Sequence, residues 1–212
     1  NKRYKEQSIQ DLIDNLKFVD SLHLLKEGRI PKMSEQIEVD ILSKVYNIKT
    51  TIADLISNDK TAKPVYYRTS GGLYYKIVTS FPTHSSKETI IYIKQKYSKI
   101  VGAIMSSNLF YWRWLINSNW LDMRKFEVLD FSIPIDRFTD SKIAELESIY
   151  DRYEKDLLKN AKPYRSKGEP AYYARKSKHI IDEIDRLICP LYDLSDEEMD
   201  FIINYDIAFR TD

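Results

Sequence analysis

Pro64-Val65-Tyr66-Tyr67-Arg68-Thr69, followed after Ser70-Gly71-Gly72 by Leu73-Tyr74-Tyr75-Lys76-Ile77-Val78-Thr79, is where the period of this chain changes. Before Pro64, apolar residues recur every three or four positions, the spacing of one helix face. From Val65 onward, β-branched and aromatic residues alternate with polar ones, as a pleated strand requires. Gly71-Gly72 can supply the positive φ of a tight turn, so the stretch reads as a β-hairpin. Successive strand side chains point to opposite faces, so one ring of Tyr66/Tyr67 and one of Tyr74/Tyr75 belongs to the core. Glu88–Ile93 is a further strand.

Working outward, Ile9, Leu12, Ile13, Leu16, Val19 and Leu22 form an amphipathic helical stripe, stopped by Gly28 and Pro31. Ile37, Ile41, Val45, Ile48, Ile52 and Leu55 form a second stripe, with Ser34 at its start and Ser57-Asn58-Asp59 at its end. After the hairpin, 97–116 reads as one apolar, aromatic helix charged only at Lys99 and Arg113. The segment 126–135, closed by Pro134, reads as a last strand. Asp140 or Ser141 caps another helix, whose Ile143, Leu146, Tyr150, Tyr153 and Leu157 alternate steps of three and four. A loop rich in Lys, Arg, Pro and Tyr spans 162–178. A helix carrying Ile180, Ile181, Ile184, Leu187 and Ile188 then breaks at Pro190, and Ser195-Asp196-Glu197-Glu198 is a capping box for the closing helix. The expected fold is mixed α+β. A helical region at 1–60 and another at 139–212 flank a small β-rich α/β domain at 61–138, and the helices from the two ends pack together as a spacer.

The 212 residues are 43% hydrophobic and 31% charged, with a net charge of only +1, which excludes an intrinsically disordered chain. Apolar runs are a few residues long, far below the roughly 20 that cross a bilayer as a helix. The single cysteine, Cys189, excludes a disulfide framework and a cysteine zinc cluster, and an unpaired thiol fits a reducing, cytoplasmic setting. The chain opens at Asn1 with neither methionine nor a cleavage signal, so the expectation is a part of something longer.

The near-zero net charge conceals an asymmetry. Residues 60–125 hold eleven basic residues against Glu88 and Asp122, a net +9, which leaves −8 for the remainder. The same window holds 12 of the 27 aromatic residues, including all three tryptophans. A basic, aromatic centre between acidic ends fits a polyanion partner. It also fits a β-rich core with lysines on its wet face.

Catalytic patterns are missing. Gly71-Gly72 suits a turn rather than a phosphate cradle. His23, His84 and His179 lack metal-ligand spacing. Ser85 and Ser86 adjoin His84, whereas a nucleophile and its base usually converge from separate elements. No catalytic, metal or cofactor residues are therefore assigned. The basic centre can instead contact phosphates and base edges together. Its candidate DNA-binding residues are Arg68, Tyr74, Lys76, Ser86 and Lys87 on or beside the hairpin, and Arg124 and Lys125 after Trp120. Arg165, Lys167 and Arg175 of the later basic loop are candidates to clamp the backbone from the other side.

Four stretches in order carry a resemblance. Val65-Tyr66-Tyr67-Arg68 with Tyr74-Tyr75-Lys76 resembles the opening of target-recognition domains of bacterial adenine-specific DNA methyltransferases. Met105-Ser106-Ser107-Asn108-Leu109-Phe110-Tyr111-Trp112 is similar to their asparagine-serine-x-leucine-phenylalanine-tyrosine helix, here with serine before asparagine. Phe131-Ser132-Ile133-Pro134-Ile135 resembles the strand that follows it. The run Ile184-Asp185-Arg186-Leu187-Ile188, continued by Leu191-Tyr192-Asp193-Leu194-Ser195-Asp196-Glu197-Glu198, resembles their closing segment. Together these cover roughly 64–205, and the best match is the C-terminal part of a fused type IIG restriction-modification methyltransferase, with type I specificity subunits as near relatives.

The resemblance implies a double-stranded-DNA-reading domain with a helical spacer, serving a methyltransferase domain upstream in the same polypeptide. There S-adenosylmethionine is bound and the target adenine flipped. The catalytic Pro-Pro-Tyr or Pro-Pro-Phe motif occurs nowhere in this chain, so the expectation is no catalysis and no cofactor on its own. The competing expectation is a helical assembly module, in which the two-helix front and the 143–157 seam pair with a partner.

Overall fold

In chain order the elements are α1 (Ile9–Asp14), α2 (Gln36–Asn47), β1 (Lys63–Arg68), β2 (Val78–Thr79), β3 (Glu88–Ile93), α3 (Ser98–Ser106), α4 (Asn108–Asn117), α5 (Lys125–Leu129), α6 (Asp140–Lys159), β4 (Lys162–Pro163), β5 (Pro170–Ala171), α7 (Lys178–Ile188), α8 (Asp196–Asn204) and α9 (Ile207–Arg210). The computed structural model describes residues 8–26, 28–70, 75–163 and 170–210. The fold is mixed α+β, as the two periods of the sequence require.

The alternation after Pro64 builds a three-stranded antiparallel sheet of order β2-β1-β3. Val65 and Tyr67 of β1 and Ile91 and Ile93 of β3 are buried. Ile90 and Tyr92 turn outward beside Tyr66 and Pro64. Tyr67 and Tyr75 are the core tyrosines of their pairs, whereas Tyr74 and the Gly71-Gly72 turn lie outside the described residues. The hairpin pairing is real but short. Tyr66 pairs with Thr79 and Tyr67 with Val78, and the Arg68 N–H extends the ladder to the Ile77 carbonyl.

Helices cover the inner face of the sheet. α3 lies against β1, and α6 crosses α3 so closely that its Tyr150 ring fills the space where a Cβ on Gly102 would stand. That close approach explains a glycine in the middle of a helix. The α6 seam of Leu146, Tyr150, Tyr153 and Leu157 is buried between α3 and α7. It is therefore consumed inside the chain. The two ends meet where Lys44 of α2 pairs with Glu198 of α8.

Several expectations are corrected. The first stripe makes only the six-residue α1 and a separate helical turn at Leu22–Leu24. Ile9, Ile13, Leu16 and Leu22 stay exposed. A short amphipathic helix gains most of its stability from packing, and of the described side chains of this stripe only Val19, beyond the end of α1, packs against the core. The second stripe is likewise two elements. α2 starts after Glu35 rather than Ser34 and ends at Asn47, and Ile52–Leu55 is a separate turn capped by Thr51 and Asp54. The single helix expected over 97–116 is broken at Ser107, which adopts extended backbone and whose hydroxyl accepts the Phe110 N–H. The strand expected over 126–135 is replaced by α5, a bridge at Ser132 and a helical turn at Ile135–Arg137. Its cause is Glu127, whose carboxylate accepts the Arg124 N–H at 2.8 Å and the Trp114 indole N–H at 3.2 Å. The cap of α6 is Thr139, not Asp140 or Ser141. The Ser195 capping box of α8 forms as read. Gly28 does take positive φ, within the turn joining Lys26 to Arg29.

Candidate nucleic-acid interface

Two backbone hydrogen bonds gather basic segments at one end of the sheet. Just past β1, the Thr69 N–H donates to the Lys87 carbonyl at 2.8 Å. The Thr69 carbonyl accepts the Met123 N–H at 2.7 Å. The turn carrying Ser86 and Lys87 and the segment entering α5 at Arg124 and Lys125 therefore flank the same residue. Ser86, Lys87, Arg124 and Lys125 are all exposed.

The loop before β3 is fixed from within. Glu88 accepts the Thr83 N–H at 2.7 Å and its hydroxyl at 2.5 Å. Ser85 Oγ accepts the Lys87 N–H at 3.3 Å, and the Ser85 carbonyl accepts the Glu88 N–H. His84 sits at φ 58°. Ser85 thus closes the turn that leads into β3.

Arg68, the last residue of β1, joins this end. Its Nε donates to Thr83 Oγ1 at 3.2 Å, and its guanidinium lies 5.2 Å from the centre of the Tyr172 ring. Tyr172 also meets Phe81. The segment after β5 is thereby held against the sheet, and the exposed Arg175 follows it by three residues. Arg165 and Lys167 lie outside the described residues.

Lys76 is elsewhere. It is buried, with its ammonium 3.6 Å from the centre of the Trp114 ring. Burial pulls its pKa down to about 8, against the opposing pull of Glu127 and Asp122. A cation over an indole face is stabilised without reaching solvent, so this residue is placed in the core rather than on the basic surface. The folded chain releases the Lys76 proton at a lower pH than the unfolded chain does, so between about pH 8 and the ordinary 10.5 the unfolded state holds more protons. Stability contributed by Lys76 therefore rises with pH across that window. Measured by urea unfolding, wild type should gain on Lys76→Met by up to roughly 3 kcal/mol over that range. An unchanged difference would place Lys76 in water.

A second polar cluster, not anticipated from sequence, joins two of the quoted motifs. Asp185 of α7 is fully buried and accepts the N–H groups of Asn108 at 2.9 Å and Leu109 at 3.0 Å. It also accepts the Asn108 side-chain amide at 2.7 Å. These are first-turn donors of α4, which no intrahelical acceptor satisfies, and a carboxylate suits that helix end. Burial nevertheless lifts the Asp185 carboxyl to about 6, the two backbone donors pulling the other way. Arg210 of α9 donates to the Asn108 side-chain oxygen and is stacked 4.4 Å from Tyr75 and 5.1 Å from Tyr111. The asparagine of one motif and the aspartate of another are thus bonded to each other. Their joint presence in the sequence is the signal that could have paired them.

Among the described residues no three His, Cys, Asp or Glu side chains gather as a metal site. No described helix is long and apolar enough to cross a membrane. Compared with protein-family models, curated proteins and solved structures, the chain matches none.

Proposed function

We propose that this chain recognises a short duplex DNA sequence, as the specificity domain of a bacterial restriction-modification adenine methyltransferase. On this reading it is not an enzyme on its own. Catalysis and S-adenosylmethionine belong to a methyltransferase domain of the same polypeptide, working in the cytoplasm. The observation that carries the reading is the convergence at Thr69, where segments distant in sequence bring Lys87, Arg124 and Lys125 to one end of the sheet. Exposed cations on separate segments suit the phosphates of a duplex, which fix register without reading sequence.

Arg68 is the candidate base reader. Its guanidinium is oriented by Thr83 and Tyr172 before any ligand arrives, and an oriented fork matches the paired acceptors on guanine. Selection from a random duplex library tests this. Wild type should enrich one short sequence, and Arg68→Ala should lose about 1–3 kcal/mol on it while relaxing a single position. Enrichment of nothing by wild type refutes sequence recognition, and an unchanged preference in Arg68→Ala removes Arg68 as a reader.

The competing assembly reading has one observation in its favour, the exposed stripe of Ile9, Ile13, Leu16 and Leu22. Sedimentation separates the two. An assembly module self-associates without DNA, and its apolar contact resists salt.

A further inference from the structure

We infer that the loop between α4 and α5 is an apolar wedge, in which Leu121 enters a base step of bound duplex DNA while Trp120, bonded to Leu115 and faced by Lys32, holds the tip in place. The inference rests on the DNA-recognition reading above and adds how the duplex is engaged. Three features of the loop point to it.

The first is the exposure of two large apolar side chains. Leu121 is 73% exposed and Trp120 54% exposed, side by side at the loop tip. The second is rigidity. Trp120 holds φ 66°, a left-handed conformation that a bulky residue rarely adopts and that persists only when the surroundings impose it. They do so here. The Trp120 indole N–H donates to the Leu115 carbonyl at 2.7 Å, its backbone N–H to Ser118 Oγ at 3.1 Å, and the Leu121 N–H to Asn119 Oδ1 at 3.2 Å. Met123 then ties the end of the loop to Thr69 of the sheet. An exposed apolar tip held this firmly is organised before it meets anything, so little ordering remains to be done on binding.

The third feature is charge, and it selects the occupant. Lys32 lies 5.0 Å from the centre of the Trp120 ring and also donates to the Ser118 carbonyl. Arg124 and Lys125, both exposed, follow the tip within four residues of Leu121, and Asp122 is the one acid within 118–125. Apolar protein surfaces meet partners of any charge, but an apolar tip with more cations than acids beside it matches a polyanion with an apolar interior. Duplex DNA has that character, with phosphates outside and stacked bases within. Leucine is one of the side chains that wedge between base steps, and basic residues beside it hold the flanking phosphates.

The test uses the whole 212-residue chain and the duplex selected from a random library, with 2-aminopurine placed at successive positions. Its fluorescence rises when the base unstacks. Wild type should raise it at one step. Leu121→Ala, a change at an exposed side chain, should abolish that rise, weaken binding about tenfold and leave the salt slope unchanged. Salt-dependent binding with no rise at any step, or an equal rise with Leu121→Ala, overturns the wedge and leaves DNA recognition standing. Loss of self-association in Leu121→Ala, with DNA binding intact, also overturns it and assigns the tip to a contact between copies. Absence of salt-dependent duplex binding by wild type overturns the recognition reading, and the wedge falls with it.

Discussion

Replacing Lys87, Arg124 and Lys125 together by alanine is expected to lower affinity for every duplex alike, by about 10- to 100-fold at moderate salt. Each phosphate left without its cation removes about 0.9 from the slope of log affinity against log salt, so the triple variant's slope should fall by roughly 2.7. All three side chains are exposed, and the two bonds that join their segments at Thr69 are made by backbone groups. Alanine keeps those bonds, so the fold should be unchanged by near-ultraviolet circular dichroism. The preferred sequence should also be unchanged, because phosphate contacts position the duplex and base contacts discriminate. Arg68→Ala should do the reverse. Equal affinity and an equal slope in the triple variant would move the interface to another surface.

Asp185→Ala should destabilise the chain by about 3–5 kcal/mol, measured as a lower urea midpoint with an unchanged slope. The carboxylate satisfies two backbone donors at the start of α4 and the Asn108 amide, all in the interior. Without it those donors are stranded, and each unsatisfied buried group costs about 1–3 kcal/mol. Arg210, buried between Tyr75 and Tyr111 and bonded to Asn108, loses support as well. A loss of this size takes a large share of an ordinary domain's stability. Asp185→Asn keeps the shape but turns donor hydrogens toward donors, so it should fall between the two. A destabilisation under about 1 kcal/mol for Asp185→Ala would mean that α4 finds other acceptors.

Strand signals were legible wherever one face of a segment is buried and the other wet. β3 occupies 88–93 as its alternation implies, and β1 begins beside Pro64, where the helical period stops. Residues 126–135 carry the same kind of apolar run, yet Glu127 caps a helix there and takes the indole hydrogen of Trp114. That bond comes from a residue thirteen positions away, and spacing within a short window does not register it. The break at Ser107 was hidden for a similar reason, because the residue that satisfies the start of α4 is Asp185, seventy-seven positions from Asn108. The opposite error concerns 9–22, where Ile9, Ile13, Leu16 and Leu22 stay exposed and Val19 alone of the described stripe side chains packs on the core, so little helix forms.

The interface divides in the same way. An excess of cations in 60–125 is a matter of counting, but where each one points depends on tertiary packing. Lys87, Arg124 and Lys125 are on the surface. Lys76 lies over Trp114, Arg113 is buried against Asp130, and Lys99 is paired with Asp151. Lys63 and Lys94 stand at the opposite end of the sheet, at the start of β1 and just past β3, so the +9 is divided among the interior, a surface ion pair and both ends of the sheet, with Arg68, Lys87, Arg124 and Lys125 the part that gathers at Thr69. Counting aromatic residues in the window does not set Trp120 apart from the other eleven, nor does it register Leu121. Ser118 and Asn119, both turn formers, lie just before this tip and were its local signal.

The most direct measurement is the affinity of the whole chain for its selected duplex as salt rises from about 50 to about 200 mM, for wild type and for the Lys87/Arg124/Lys125→Ala variant. Recognition through the end of the sheet predicts that log affinity of wild type falls linearly with log salt, with a slope of about −3 or steeper, and that the variant's slope is shallower by nearly 3. No binding of duplex DNA by a folded wild-type chain, or binding that salt leaves unchanged, would contradict the account.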